Sequence, residues 1–136
     1  MRSDTVKLPL HRLYLEYTNR CNMSCAFCPY SYQKRAKGKL DCDLLRRIID
    51  EVAEKKMASM IEVTGYGEPL MNPDWHRISQ YIINNGIRLN ITTNGSLLTE
   101  SISEKLAELD LEDVIISLQT PERESFNLRK AALFGP

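Results

Sequence analysis

Four short β-type runs alternate with helical patterns along the sequence, and this alternation limits the possible folds more than any other feature. The runs are residues 12–17, 60–64, 88–93 and 113–118, and the stretches between them place apolar residues at helical spacing. Strands joined by helices in this way form right-handed βαβ units, so their carboxyl ends open on one side of a parallel sheet. The sequence therefore predicts an α/β fold, either a barrel or an open sheet.

Polar residues mark where the predicted helices begin and end. Asp41 is placed to cap the first helix, and Asn72 followed by Pro73 suits the start of the second. Residues 101–104 (Ser-Ile-Ser-Glu) fit a capping box for the third helix, and residues 85–86 (Asn-Gly) fit the end of the second. The apolar residues expected on the buried faces of these helices are Leu44, Leu45, Ile48, Ile49, Val52, Trp75, Ile78, Ile82, Ile102, Leu106 and Leu109.

The fourth β-type run, residues 113–118, is a nearly continuous series of apolar β-branched residues. Such a run is typical of a parallel strand that is covered on both faces. Residues 121–132 can form only one more helix, however, so we expect this strand to be an open edge, and residues 114–116 carry no charge that would discourage pairing. The chain has 136 residues, a length that suits one domain. Its net charge is zero, which gives little repulsion between copies, so we expect it to self-associate through this edge.

Three cysteines, Cys21, Cys25 and Cys28, lie in a single loop directly after the first β-type run. Thiolates are the usual ligands of iron–sulfur clusters, and three of them leave one iron of a four-iron cluster free to bind another ligand. The alternative is a structural zinc site with Cys42 as the fourth ligand, because structural zinc takes four nitrogen or sulfur ligands. Disulfides are less favoured, since residues 1–4 begin no apolar signal run and we expect a reducing, cytoplasmic setting.

The ends of the other three strands also carry unusual residues. They are Gly67, Glu68 and Pro69 after the second run, Asn94 after the third, and Ser117 near the end of the fourth. Parallel α/β folds place their active sites at the carboxyl ends of the strands. We therefore expect these residues to form one site with the cysteine loop, and glycine in that site allows close approach of the backbone.

The C-x3-C-x2-C spacing, with Phe27 before the last cysteine, resembles the signature of the radical S-adenosylmethionine (radical SAM) enzymes. In that family the three cysteines bind a [4Fe–4S] cluster, whose open iron chelates the amino and carboxylate groups of S-adenosylmethionine. An electron from the cluster cleaves this cofactor to methionine and a 5′-deoxyadenosyl radical, which abstracts hydrogen from a substrate. The resemblance implies that residues 1–136 are a single, truncated core domain, a partial (β/α) barrel of the radical SAM type with about four βα units.

The resemblance also implies roles for individual residues. Gly67, Glu68 and Pro69 match the last three residues of the family's Gly-Gly-Glu-Pro element, which holds the methionyl amino group, and Tyr66 stands where that element has its first glycine. By the same resemblance the metal ligands, catalytic through the cluster, are Cys21, Cys25 and Cys28, the residue near the adenine is Phe27, and the residues that face the cofactor are Asn94 and Ser117.

Charge and composition narrow the possible partners. Lysine plus arginine and aspartate plus glutamate both number 18, which gives no indication of nucleic-acid binding, and no run of about 18 apolar residues predicts a membrane span. The basic run at residues 33–39 is either a solvated loop or a docking surface for an electron donor of the flavodoxin or ferredoxin type. Residues 27–30 and 116–121 resemble the corresponding stretches of family members that modify peptides or natural products, so the resemblance implies a substrate of that kind. The alternative functions are a zinc-stabilised binding module and a truncated, catalytically incompetent fragment.

Overall fold

The computed structural model describes residues 7–119 and 122–127. Its four parallel strands pair in chain order and are β1 (Leu13–Leu15), β2 (Met60–Val63), β3 (Arg88–Thr93) and β4 (Asp113–Ile116). The helices that follow them are α1 (Cys42–Glu54), α2 (Trp75–Asn84), α3 (Glu100–Ala107) and α4 (Arg123–Phe126). One of these helices follows each strand, and consecutive strands pair in parallel, so the predicted α/β fold with four βα units is confirmed.

The hydrophobic core lies between the sheet and the helices. Ile61 of β2 and Leu89 of β3 are register partners, and both are fully buried together with Ile49 of α1 and Ile82 of α2. Side chains alternate along a strand, so the residues between these core positions face the other way. We call that opposite side of the sheet the inner face, and one register row across it consists of Tyr14, Glu62, Asn90 and Asp113.

The start of α1 was predicted correctly, and the start of α2 was not. Asp41 caps α1, and its carboxylate accepts two backbone N–H groups of the first turn. Leu44, which was expected to be buried, is 39% exposed, because its neighbour Leu45 occupies the core position. Helix α2 begins at Trp75, two residues later than Asn72 and Pro73 suggested. Asn72 is buried instead, and its side-chain amide donates to the carbonyl of Tyr17, two residues past β1.

Thr99 caps α3 by accepting the N–H of Ile102, so the capping box predicted at residues 101–104 is wrong. The observed cap lies two positions before the predicted one, and both positions carry a hydroxyl, so the local pattern alone did not distinguish them. The end of α2 is as predicted, since Gly86 takes a left-handed φ of +74° just past the last turn. No helix in residues 7–119 and 122–127 combines the length and apolar character needed to span a bilayer.

The fourth strand differs from the expectation of burial on both faces. All four residues of β4 are exposed, and the strand lies at one end of the sheet in the described residues. Its one partner strand is β3, and β4 makes no pair on its other side within residues 7–119 and 122–127. The apolar β-branched composition of β4 therefore predicted a strand correctly, but its burial was predicted wrongly. The helix predicted over 121–132 is present at Arg123–Phe126, and the rest of that range lies partly outside the described residues.

Candidate metal and cofactor site

One cavity opens at the carboxyl ends of the four strands, and the cysteine loop forms one wall of it. Eight of the nine residues predicted for the site line this cavity: Cys21, Cys25, Phe27, Cys28, Gly67, Glu68, Asn94 and Ser117. The ninth, Pro69, is buried beside it and begins a short 3-10 turn. The fold therefore brings together residues that are up to 96 positions apart in the sequence, as the strand-end argument predicted.

Tyr30 holds the cysteine loop in shape. Its hydroxyl oxygen accepts the N–H of Cys21 at 3.1 Å, and its O–H donates to the carbonyl of the same residue at 3.3 Å. The N–H of Cys28 donates to the carbonyl of Cys25 at 3.1 Å, which closes a tight turn. Lys37 lies over the Tyr30 ring, 3.6 Å from its centroid. Sequence reasoning did not identify this role of Tyr30, because a tyrosine close to a cysteine motif has no fixed meaning without the fold.

The Cys21 sulfur lies in a partly buried, polar setting. Burial raises the pKa of the Cys21 thiol, while the N–H of Met23, 3.4 Å from Sγ, acts in the opposite direction. The side-chain amide of Asn94 also points at Sγ, at 3.8 Å. Metal binding replaces the thiol proton, and N–H donors aimed at sulfur stabilise a metal-bound thiolate. The donor set around Cys21 therefore fits a thiolate-bound metal.

The arrangement of the three cysteines suits a cluster. Cys21, Cys25 and Cys28 are half-buried and form no disulfide, and all three line the same cavity. In the described part of the chain, no three Cys, His, Asp or Glu side chains lie close enough to bind one metal ion. An iron–sulfur cluster binds each thiolate through a different iron, so its ligands do not have to meet at one point.

Cys42 lies apart from the other cysteines. It is the first residue of α1, and its Sγ is 3.6 Å from Asp74 Oδ2 and 3.4 Å from Arg77 Nη2. It lines a different cavity, between α1 and α2. The zinc alternative used Cys42 as its fourth ligand, and this placement does not favour it.

The turn after β2 packs directly on the backbone that leads into Cys21. A Cβ atom on Gly67 would lie 1.9 Å from the carbonyl oxygen of Thr18 and 2.7 Å from that of Arg20. The next residue, Glu68, donates its N–H to the Arg20 carbonyl at 2.8 Å. Gly67 is not among the residues with positive φ, so the position requires glycine for space and not for backbone conformation.

The buried carboxylate of Glu68 links this turn to the end of β3. Its Oε1 accepts the hydroxyl of Thr93 at 2.6 Å and its Oε2 accepts the N–H of Asn94 at 2.7 Å. Oε1 also accepts the N–H of Leu70 at 3.3 Å within its own turn. Backbone and side chain of Glu68 together thus connect the cysteine loop, the turn after β2 and the end of β3. Charge-assisted hydrogen bonds of this kind are among the stronger ones in proteins.

A second polar network joins Asn94 to the cysteine loop. Its amide donates to Asn22 Oδ1 at 2.9 Å, and its own Oδ1 accepts the N–H and O–H of Ser96 at 2.9 and 2.6 Å. Asn22 donates in turn to the Ser96 hydroxyl at 2.7 Å. Asn22 and Ser96 were not predicted, although each is a short polar residue one or two positions from a predicted one. Ser117 reaches the cavity at the end of β4, where its backbone N–H donates to Thr93.

Most cations of the basic run at residues 33–39 are bound within the chain. Arg35 pairs with Glu16 at 2.9 Å, and Lys39 pairs with Asp74 at 2.6 Å. Lys37 lies over the Tyr30 ring. Lys34 is the remaining cation of the run, and the structure shows no ion pair for it in residues 7–119. Most of the positive charge of this run is therefore engaged by contacts within the chain, and little of it is free for a partner.

The packing at Gly67 predicts that even alanine there displaces the cysteine loop. We expect Gly67→Ala to lose most of its iron and acid-labile sulfide after anaerobic reconstitution, because one side chain cannot fit against two fixed carbonyls. Iron and sulfide per chain are the measurement. Gly38→Ala is the matched control, since a Cβ on Gly38 meets nothing within 4 Å. A Gly67→Ala protein with the cluster content of the control would contradict this account of the turn.

Comparison with known proteins places the chain in a family. The model of the Radical SAM superfamily matches residues 15–133. The chain is 36% identical over 106 residues to the tungsten-containing aldehyde ferredoxin oxidoreductase cofactor-modifying protein of Pyrococcus furiosus, covering 78% of the chain and 30% of that protein. It is 34% identical over 103 residues to the mycofactocin maturase MftC of Mycobacterium tuberculosis, covering 76% of the chain and 26% of that protein. The chain thus spans about a third or less of the length of these relatives.

Solved structures show the same fold. The crystal structure of BtrN in complex with AdoMet and 2-DOIA matches with a TM-score of 0.74 at 27% identity, over 93% of this chain and 53% of BtrN. SuiB of Streptococcus suis, bound to S-adenosylmethionine, matches with a TM-score of 0.74 at 23% identity, over 87% of this chain and 27% of SuiB. Since the family model covers most of its length, the chain belongs to the radical SAM superfamily, whose members use a [4Fe–4S] cluster and S-adenosylmethionine.

Proposed function

We propose that Cys21, Cys25 and Cys28 hold a [4Fe–4S] cluster and that S-adenosylmethionine binds at its open iron. The observation that carries this proposal is that three unbridged cysteines share one cavity with the turn after β2 and with the ends of β3 and β4. When bound, the cluster supplies the electron that cleaves the cofactor to methionine and a 5′-deoxyadenosyl radical, which abstracts hydrogen from a substrate. The chain's own residues bind, orient and shield these groups.

We assign the cofactor contacts to residues that line the cavity. The turn at Gly67 and Glu68, continued by Pro69, would receive the methionyl group, because its backbone is fixed against the cysteine loop. Phe27 is 56% exposed at the cavity wall, which leaves its ring free to contact the adenine. The remaining candidates are Asn94 and Ser117, which face the cofactor from the ends of β3 and β4. We propose that residues 1–136 belong to one core domain, since the described residues pack around a single core.

We propose a polar substrate, because the inner face of the sheet below the cavity carries buried polar side chains. Glu62 is buried there, accepts the hydroxyl of Thr92 at 3.0 Å and lies 2.8 Å from Arg12 Nη1. Asn90 is 3% exposed, and its Oδ1 accepts no hydrogen bond from residues 7–119 and 122–127. Buried acceptors of this kind favour a ligand with N–H or O–H donors. A peptide or another natural product has such donors, and SuiB has been crystallised bound to the precursor peptide SuiA.

Radical SAM chemistry requires an electron donor, and we propose one of the flavodoxin or ferredoxin type that approaches the cysteine loop. Lys34 is the exposed cation of the basic run that remains available to an acidic surface, and Tyr32, two positions earlier, is 81% exposed. Electrostatic attraction there would speed encounter without strong binding. The free state of all four cysteines supports a reducing, cytoplasmic setting.

Substitution of the cysteines tests the proposed function directly. After reconstitution and incubation with dithionite and S-adenosylmethionine, we expect the unsubstituted chain to form 5′-deoxyadenosine. Cys21→Ala, Cys25→Ala and Cys28→Ala should lose both this product and the iron–sulfur absorbance, because each removes one of the three protein ligands that we assign to the cluster. Cys42→Ala is the control and should retain both. Zinc in place of iron in the purified protein, or loss of the absorbance in Cys42→Ala, would show that the ligands are assigned wrongly.

We also propose that the isolated chain self-associates through β4. Val114, Ile115 and Ile116 are 39%, 40% and 51% exposed, and an edge strand with no charge over these three residues readily pairs with another chain. Size-exclusion chromatography with light scattering should find dimers or larger species, and Ile115→Lys should shift the chain toward monomer because a charged edge resists pairing. A monodisperse monomer of the unsubstituted chain would contradict this proposal.

A further inference from the structure

Glu16 lies just past β1 and contacts the turn after β2 from below. Its Oε1 accepts the backbone N–H of Tyr66 at 2.7 Å. A Cβ on Gly65 would lie 2.6 Å from the same oxygen and 2.8 Å from Glu16 Cγ, so the turn and the carboxylate are in direct contact. The N–H of Tyr66 belongs to the turn that we assign to the methionyl group. A carboxylate that accepts this N–H fixes the orientation of the adjoining peptide units.

Arg35 fixes the Glu16 carboxylate. Its guanidinium contacts both oxygens, with Nη1 2.9 Å from Oε2 and Nη2 3.3 Å from Oε1. The same guanidinium lies 5.5 Å from the centroid of the Tyr66 ring. Tyr66 lines the cavity and is 42% exposed. Arg35 therefore contacts both the Glu16 carboxylate, which accepts the N–H of the turn, and the side chain of Tyr66, which stands where the family has a glycine.

This contact contributes little to the stability of the fold. The Arg35 and Glu16 side chains are 55% and 23% exposed, and ion pairs open to water have small effects on stability. The geometry is nevertheless specific, because the ion pair is bidentate and the Glu16 carboxylate also accepts the backbone N–H of Tyr66. A contact with good geometry and little stabilising effect, placed under a ligand-binding turn, serves the ligand more than the fold.

We propose that Glu16, anchored by Arg35, is a positioning residue for S-adenosylmethionine. It acts by holding Gly65 and Tyr66, which directly precede Gly67, so that Gly67 and Glu68 are placed to receive the methionyl group. This inference rests on the proposed function, which assigns that turn to the cofactor. Glu16 itself need not touch the cofactor, and it does not line the cavity that contains the cysteines.

The test is the Kd of S-adenosylmethionine, measured by equilibrium dialysis on reconstituted proteins with equal iron and sulfide content. Glu16→Ala removes a charged acceptor and should weaken binding roughly tenfold. Glu16→Gln keeps an acceptor for the Tyr66 N–H and should recover part of this loss. Arg35→Met should fall between Glu16→Ala and the unsubstituted chain. Because the two residues act through one contact, the double variant Glu16→Ala/Arg35→Met should bind as weakly as Glu16→Ala alone.

Glu51→Ala is the matched control, since Glu51 of α1 is also a glutamate in an ion pair with one cation, Lys55, and lies outside the cavity that contains the cysteines. It should leave the Kd unchanged, and all variants should keep the cluster content and melting temperature of the unsubstituted chain. Unchanged binding in Glu16→Ala, or equal weakening in Glu51→Ala, would overturn the inference. Loss of the cluster in both Glu16→Ala and Arg35→Met would also overturn it, because the contact would then serve the fold. An unsubstituted, cluster-replete chain that does not bind S-adenosylmethionine would instead contradict the proposed function.

Discussion

The site depends on the contact between the turn after β2 and the backbone that enters the cysteine loop. Gly67 approaches the carbonyls of Thr18 and Arg20 so closely that no side chain fits between them. Glu68 then secures the contact, with its N–H on Arg20 and its buried carboxylate on Thr93 and Asn94. The two loops that we propose to share one cofactor are thereby held at a fixed separation. Preorganisation of this kind is what a site needs to position a reactive group.

Much of this arrangement could be predicted from the sequence, because its causes are local. β3 was predicted with its observed bounds, residues 88–93, since alternating apolar residues that end in a glycine turn at Asn94 and Gly95 are typical of a strand. The three cysteines needed only their spacing. Parallel strands fix the side on which their carboxyl ends open, so the shared position of Glu68, Asn94 and Ser117 followed from topology.

The remaining features depend on contacts between distant residues. Local pattern offers no reason to prefer Thr99 over Ser101 as the cap of α3, because both carry a hydroxyl. Nor does it indicate that Asn72 would be buried against β1. The sequence pattern attributes the glycine at position 67 to the cofactor, whereas the first atoms it must avoid belong to Thr18. Glu16 carries no sequence signal at all, since its partner Tyr66 is 50 residues away.

In the function that we propose, three thiolates of this chain leave one iron of a cluster open to S-adenosylmethionine. Mössbauer spectroscopy of protein reconstituted with ⁵⁷Fe tests it most directly, because it reports the coordination of individual irons. We expect addition of S-adenosylmethionine to change the signal of one iron of the cluster and to leave the other irons unchanged. A spectrum in which no iron responds, from protein whose cluster is intact, would contradict the account.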